Sequence, residues 1–408
     1  MHLRWSMGSK VRKIILRKIL DSRGNPTVEC EIYSDSTFSR CSAPSGASVG
    51  KFEAVAYPKG IDAAMEFANS HLLPKLLGAD VYGQKNIDRI IKDVDGTENL
   101  SKIGGNVAMT VSVACAKLAA NLKGVQLFEY LGKGRSFPLP LSKIIGGGKH
   151  ALNSCDIQEF LCVPLSTKKI HQALEANLAV HKKAAEMITK KINQAVGRDD
   201  ESGWVARLTT EEALEILSSA CEAISDEKGV KIRAGLDVAA NSLFDGENYI
   251  YKLDGKKFSK GEQIDFILEL IRKFNLTYVE DALHEDDFDG FAELTKRAKN
   301  CLICGDDLFV TNKKRLELGV KMKACNSIII KPNQIGTLSD LIDTVGYAKE
   351  NDYSLIASHR SGETCDDYLA HIAVAYDCRM LKTNVVGGER NTKFNEIIRI
   401  GEKIGKWA

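Results

Sequence analysis

Six short apolar runs in the second half of the chain each end in a side chain that can hold a charge or move a proton. Asp237 closes "AGLD", Glu280 closes "YVE", Asp306 follows "ICG", Lys331 follows "SIII", His359 follows "IAS" and Lys382 follows "ML". The successive separations are 43, 26, 25, 28 and 23 residues, about one strand and one helix each, the first with an insertion. In a β/α barrel the C-terminal strand ends converge on one mouth. The spacing therefore predicts three carboxylates, two lysines and a histidine around a common cavity. A single charge at a strand end can simply mark where the chain leaves the core. Six in succession ask for more, because Ser, Asn or Gly would serve solvent contact as well. Three carboxylates with neither sulfur nor clustered imidazole suit a hard, oxygen-loving ion, Mg²⁺ rather than Zn²⁺. Two lysines in one mouth raise each other's cost of ionisation, which predicts a neutral lysine base near physiological pH.

A second chemical candidate lies near the N-terminus, in "APSGASVGKFE" at 43–53. It imitates a phosphate-binding loop but fails twice: Gly46 and Gly50 enclose three residues where four are needed, and Phe52 follows Lys51 where a hydroxyl must reach the metal. A Gly-flanked serine, Ser48, can still serve a metal or a phosphate supplied by the rest of the chain.

These residues need a scaffold. Residues 11–57 alternate as strands, with "DSRGNP" as a turn between "VRKIILRKIL" and "TVECEIYS". From about 60 to 131 the apolar spacing becomes three and four, as in "GIDAAMEFANSHLLPKLL" and "VAMTVSVACAKLAANLKGV". "GKGRSFPLP" then interrupts the pattern with Gly and Pro. An N-terminal α+β capping domain over 1–138 and a catalytic β/α domain over 139–408 follow. In the second part, short apolar strands alternate with helical segments such as "GEQIDFILELIRKF" and "LSDLIDTVGYAKEN". That alternation implies parallel strands, wound as an open sheet or a barrel. No Gly-x-Gly-x-x-Gly opens any of the helices, which weakens a dinucleotide-binding version.

The bulk properties narrow the function. The 408 residues are 44% hydrophobic and 27% charged, the composition of a globular protein with ample core. A net charge of +2 argues against nucleic acid or a membrane surface as partner, though a local basic cluster could hold a small anion. Eleven scattered cysteines fit free thiols in a reducing, cytoplasmic setting. Cys301 and Cys304 form a C-x-x-C without a second pair, so a buried strand is expected there rather than zinc. The basic N-terminus lacks the continuous apolar core of a secretory signal, and no run reaches membrane-spanning length.

Longer motifs carry a family resemblance. "LDSRGNPTVE", "SGASVGKFE", "GGGKHALN", "DIQEFL", "GLDVAANSLF", "GDDLFVTN", "KPNQIGTLSD" and "SHRSGET" occur in that order between about residues 11 and 403. Together they resemble the enolases, the phosphopyruvate hydratases of glycolysis. The resemblance implies a TIM-like barrel behind an N-terminal α+β domain. It also implies a lyase that interconverts 2-phospho-D-glycerate and phosphoenolpyruvate with Mg²⁺, commonly as a homodimer or a larger homo-oligomer. By similarity Asp237, Glu280 and Asp306 bind the first Mg²⁺. Ser48, on a mobile lid, binds a second, substrate-assisted Mg²⁺ with the phosphate. Lys331 matches the base at C2 and Lys382 its cationic neighbour at the carboxylate. Glu201 matches the general acid, with Glu159 as the carboxylate beside it and Gln158 adjacent. His150 corresponds to a histidine near the phosphate end, where Arg360 and Ser361 form the clamp and His359 precedes them.

Four positions depart from the family's usual pattern. Ala282 replaces the Pro of Glu-Asp-Pro, Asp199 and Ser202 replace glycines around Glu201, and Pro332 follows the base where Val is common. Freer backbone after Glu280, a stiffer acid segment with a shifted Glu201, and a lost donor after Lys331 are the expected consequences. The substitutions at 199, 202 and 282 are the only support for a catalytically weak paralogue kept as a binding or scaffold protein. The alternative of another acid dehydratase of the superfamily conflicts with the Ser48 loop and "SHRSGET".

Overall fold

The computed structural model describes residues 8–46 and 50–407. Three antiparallel strands, Lys13–Leu20, Pro26–Tyr33 and Phe38–Ser42, form the N-terminal sheet. The first turn closes because one Asp21 oxygen accepts the amides of Arg23 and Asn25, each at 2.9 Å. Helix Gly105–Lys123 packs on the second and third strands. Its run of Ala, Val, Ser and Gly is buried almost throughout, so it approaches its neighbours closely. A Cβ at Gly105 would sit 2.8 Å from Ala54 Cβ and 2.9 Å from the Asn333 carbonyl. Only glycine lets this helix start between the segment after the Ser48 loop and the strand end that carries Lys331.

The remaining chain closes a barrel of eight strands: Leu139–Gly146, Glu159–Pro164, Ile232–Asp237, Tyr278–Glu280, Leu302–Gly305, Ser327–Ile330, Ser354–Ser358 and Met380–Lys382. Each neighbours the next in chain order, and the eighth pairs with the first. The six strands from Ile232–Asp237 onward are parallel, as their alternation with helices implies, but the pair before them differs. The second strand runs antiparallel to both the first and the third. A loop rather than a crossover helix joins strands one and two, so they fold as a hairpin. Two helices, Ile170–Ile192 and Thr210–Lys228, then precede strand three. From strand three onward a helix follows each strand; helices Lys260–Phe274, Phe288–Arg297, Lys313–Met322, Leu338–Glu350 and Tyr368–Ala375 fall on the predicted helical segments, two of them starting one residue earlier.

The barrel interior is a packed layer, with Leu141, Leu161, Tyr278, Ile329, Ile356 and Met380 all fully buried in one cluster. Cys304, in the strand Leu302–Gly305, belongs to the same cluster as the strand reading expected, while Cys301 is buried just ahead of that strand. All eleven cysteines are free thiols, and only Cys365 is exposed. Among the described residues no helix is long and apolar enough to cross a membrane.

Candidate active site

Sheet register sets the site. Glu280 lies level with Asp237, and Ser358 lies level with Lys382. Because strand two is reversed, Glu159, its first residue, also lies opposite Asp237 at the same mouth. The Lys382 ammonium donates to Asp237 Oδ2 and Glu280 Oε2 at 2.8 Å each and pairs with Glu159 Oε2 at 3.2 Å. The Lys331 ammonium pairs with Asp306 Oδ2, while Gln334 donates to the other Asp306 oxygen at 2.9 Å. Five of the six predicted strand-end groups thus take part in three ammonium–carboxylate contacts, two at Lys382 and one at Lys331. The sixth, His359, lines the same mouth.

The carboxylates fit a hard cation. Tyr278 donates its hydroxyl to Glu280 Oε2 at 2.6 Å, but Glu280 Oε1 is buried with no hydrogen-bond partner among the described residues. Burial, and then the negative charge of Asp237, push the Glu280 carboxyl well above the usual range. A positive ion among these oxygens would relieve both the crowding and the orphaned acceptor. Asp281 is also close, yet its two oxygens accept the amides of Asp306 and Asp307, each at 2.9 Å. Asp281, Asp306 and Asp307 also bring one carboxylate oxygen each within 4.8 Å of one another, a second set of oxygens able to hold a cation.

The expectation of a neutral lysine is corrected by these contacts. Burial lowers the Lys331 pKa, but the charge of Asp306 more than offsets it and holds the group above its ordinary value. Lys382 is held higher by Asp237, Glu159 and Glu280. The carboxylates outweigh the mutual repulsion of the two lysines.

The second wall holds a proton-transfer cluster. His150 Nδ1 lies 3.2 Å from Glu201 Oε2 and 3.7 Å from Glu159 Oε1. Lys143 Nζ joins them at 2.7 Å from His150 Nδ1 and 3.1 Å from Glu201 Oε2. Burial raises the Glu159 carboxyl to about 7, with the neighbouring Glu201 charge adding to it. Burial would raise Glu201 too, but His150 and Lys143 hold it well below its ordinary value. The two carboxylates therefore differ, and the shared proton favours Glu159 when both are free. His359 is oriented from behind. Arg390, which can only donate, directs Nη1 at His359 Nδ1 from 2.9 Å, so the ring proton sits on Nε2, 4.0 Å from Glu201 Oε2. Gln158 lines the mouth next to Glu159.

Arg360 marks a third corner. Its guanidinium makes two bonds to Glu53, at 2.9 and 3.2 Å, and one to Asn333 Oδ1 at 3.3 Å. Glu53 also accepts the amide of Gly50 at 3.0 Å. Ser45 and Gly362 exchange backbone bonds of 2.6 and 2.8 Å. Both ends of the "SGASVG" segment are thereby fastened next to Arg360 and Ser361. Ser48 itself lies outside the described residues. Arg390 supports the clamp from below by donating to the Ser361 and Asp200 carbonyls at 2.5 and 3.2 Å.

Comparison with known proteins settles what this arrangement belongs to. Residues 11–131 match the family described as "Enolase, N-terminal domain", and residues 135–408 match "Enolase, C-terminal TIM barrel domain". The chain belongs to the enolase family. It is 48% identical to the enolase of Methanothermobacter thermautotrophicus over 406 residues, 98% of each chain. It is 46% identical to that of Archaeoglobus fulgidus over 398 residues, 97% of this chain and 98% of the relative. With the enolase of Thermoplasma acidophilum it shares 44% over 396 residues, 96% of this chain and 98% of the relative. Membership in the enolase family makes the protein a lyase.

The departures from the enolase pattern now have physical accounts. Ala282 is fully buried and its carbonyl accepts from Gln263 at 3.0 Å, so packing fixes the backbone that a proline ring would otherwise stiffen. Pro332 opens the short helix Pro332–Ile335, at a position whose amide has no intrahelical partner to lose. Asp199 caps its own turn by accepting the amides of Glu201 and Gly203, each at 2.9 Å. Ser202 keeps the left-handed conformation natural to glycine, at φ 67. His181, which matched no motif, donates its Nε2–H to the Ser202 carbonyl at 2.8 Å and so braces the acid segment.

Three functional side chains escaped the sequence reading. Lys143 carried a signal, since a lysine inside the apolar run "LPLSKIIG" must find buried counter-charges. Glu53 sat in the quoted loop segment, but its partner Arg360 is 307 residues away. Arg390 lay in "GGERN" without any cue that it would be fully buried.

Proposed function

We propose that this chain runs the enolase reaction, the reversible loss of water from 2-phospho-D-glycerate to give phosphoenolpyruvate, with Lys331 as the base that removes the C2 proton. The single observation that supports these roles is the division of one mouth into three walls. Paired lysines and carboxylates stand on the first, a Glu201–Glu159–His150 cluster on the second, and the Arg360–Ser361 clamp on the third. Such a mouth accepts a carboxylate, a leaving hydroxyl and a phosphate at separate points.

Asp237, Glu280 and Asp306 are the residues to hold the first Mg²⁺, and Ser48 is the proposed ligand of a second that arrives with substrate. Bound there, Mg²⁺ would supply positive charge at the substrate carboxylate and draw Asp306 away from its role as counter-ion to Lys331. Lys382 contributes a fixed cation where negative charge grows as C2 loses its proton. Arg360 presents its guanidinium, and Ser361 its hydroxyl, to the phosphate. On the far side, the proton shared with Glu159 passes to Glu201, which hands it to the departing hydroxide. Glu159, Gln158 and His150 surround it, so the buried cluster keeps one proton available at neutral pH. The free thiols support a reducing, cytoplasmic setting.

The roles of base and acid separate experimentally. Lys331→Ala is expected to abolish exchange of the C2 proton of 2-phosphoglycerate with solvent deuterium, while phosphoenolpyruvate with Mg²⁺ still raises the unfolding temperature. Exchange that persists in the variant removes Lys331 as the base.

A further inference from the structure

Lys143 is the fifth of eight residues in the first barrel strand, and only 1% of it is exposed. A buried ammonium is tolerated when carboxylates surround it, and three do. Asp199 Oδ2 lies at 2.8 Å, Glu201 Oε2 at 3.1 Å and Glu159 Oε1 at 3.9 Å. The space for this contact is built into both neighbouring turns. A Cβ at Gly146 would fall 1.8 Å from Asp199 Oδ2, and one at Gly203 would fall 3.0 Å from Lys143 Cε. Asp199 is itself fixed by the two amides its other oxygen accepts. The acid at 199, a departure from the family's glycine, thus stands against a lysine that needs it.

We propose that Lys143, anchored by Asp199, is a positioning residue for proton delivery, fixing the Glu201 carboxylate beside His150 and supplying its counter-charge. This rests on the reading of Glu201 as the proton donor to the leaving hydroxide. The charged groups that face Glu201 are Lys143 from strand one, His150 from the following loop, Glu159 from strand two and His359 from the end of strand seven. Asp199 and Asp200 face it from its own segment. Of these, the Lys143–Asp199 pair acts as a dial. Neutralising the lysine removes a cation next to Glu201, so Glu201 keeps its proton to higher pH. Neutralising Asp199 leaves the lysine charge less compensated, so Glu201 loses its proton at lower pH. Asp199→Asn retains an oxygen for the two amides and so preserves the turn.

The test measures the pH dependence of dehydration of 2-phosphoglycerate, alongside C2 deuterium exchange, in Lys143→Gln, Asp199→Asn and the double variant, with Glu201→Gln as control. The alkaline limb of dehydration is expected to move up by about one pH unit in Lys143→Gln and down by about one in Asp199→Asn. In the double variant it returns toward the parent, and C2 exchange persists in all three. A purely structural role moves both limbs the same way or neither, and that result in folded proteins overturns the proposal. If Lys143→Gln does not fold, the decision falls to Asp199→Asn against the double variant, whose limb must lie higher. Glu201→Gln is expected to lose dehydration and keep exchange. Should it keep both, the assignment of Glu201 has failed rather than that of Lys143.

Discussion

The contact between Glu53 and Arg360 links the loop segment to the phosphate corner, and its removal has a calculable effect. Both side chains are about 5% exposed, and the guanidinium makes two bonds to the carboxylate, at 2.9 and 3.2 Å. In Glu53→Gln one oxygen can still accept, but the new amide NH₂ faces a second donor. Removing one partner of a buried ion pair costs about 3–5 kcal/mol, and one surviving hydrogen bond returns about 1. The free protein is therefore expected to lose about 2–4 kcal/mol, a fall in Tm on the order of 3 °C for a chain of this length. A phosphate bound at Arg360 offers the cation a substitute partner. With saturating phosphoenolpyruvate and Mg²⁺ the loss is expected to shrink by at least ~1 kcal/mol. Urea unfolding of parent and variant, each with and without ligand, measures all four states. Equal losses with and without ligand would refute the placement of the phosphate at Arg360. No loss in the free protein would refute the pairing itself.

Two further expectations concern stability away from the reacting atoms. Ser202→Gly relieves a left-handed serine in the turn that carries Glu201, and after the greater flexibility of glycine in the unfolded chain it should stabilise by ~0.5–1 kcal/mol; chemical denaturation that shows a loss would contradict the strain. Burial tends to raise the Glu396 carboxyl, but hydrogen bonds from His371 and Arg399 hold it below its ordinary value. A depressed carboxyl stabilises above its unfolded pKa and loses that contribution as pH falls through the folded one. The stability gap between parent and Glu396→Gln should be open at pH 7 and narrow below about pH 4. A gap independent of pH would mean that packing, and not charge, makes the difference.

The sequence by itself determined the six strand-end groups, because one strand and one helix of near-constant length separate successive arrivals at the barrel mouth. It also determined the helices after strand three, whose apolar faces recur at the helical period. The long motifs "SHRSGET", "QIGTL" and "GGGKH" named the family before any coordinate was known. Tertiary structure decided what depends on partners distant in the chain or on strand direction. Reversal of strand two brings Glu159 to the mouth from the start of its strand instead of the end. Closure of the barrel sets Lys331 and Lys382 against carboxylates and so overrides the repulsion that their proximity suggested. Packing alone joins Lys143 to Asp199 and Glu53 to Arg360. A buried charge in a sequence announces that it needs a partner, but only the folded chain says which one it finds.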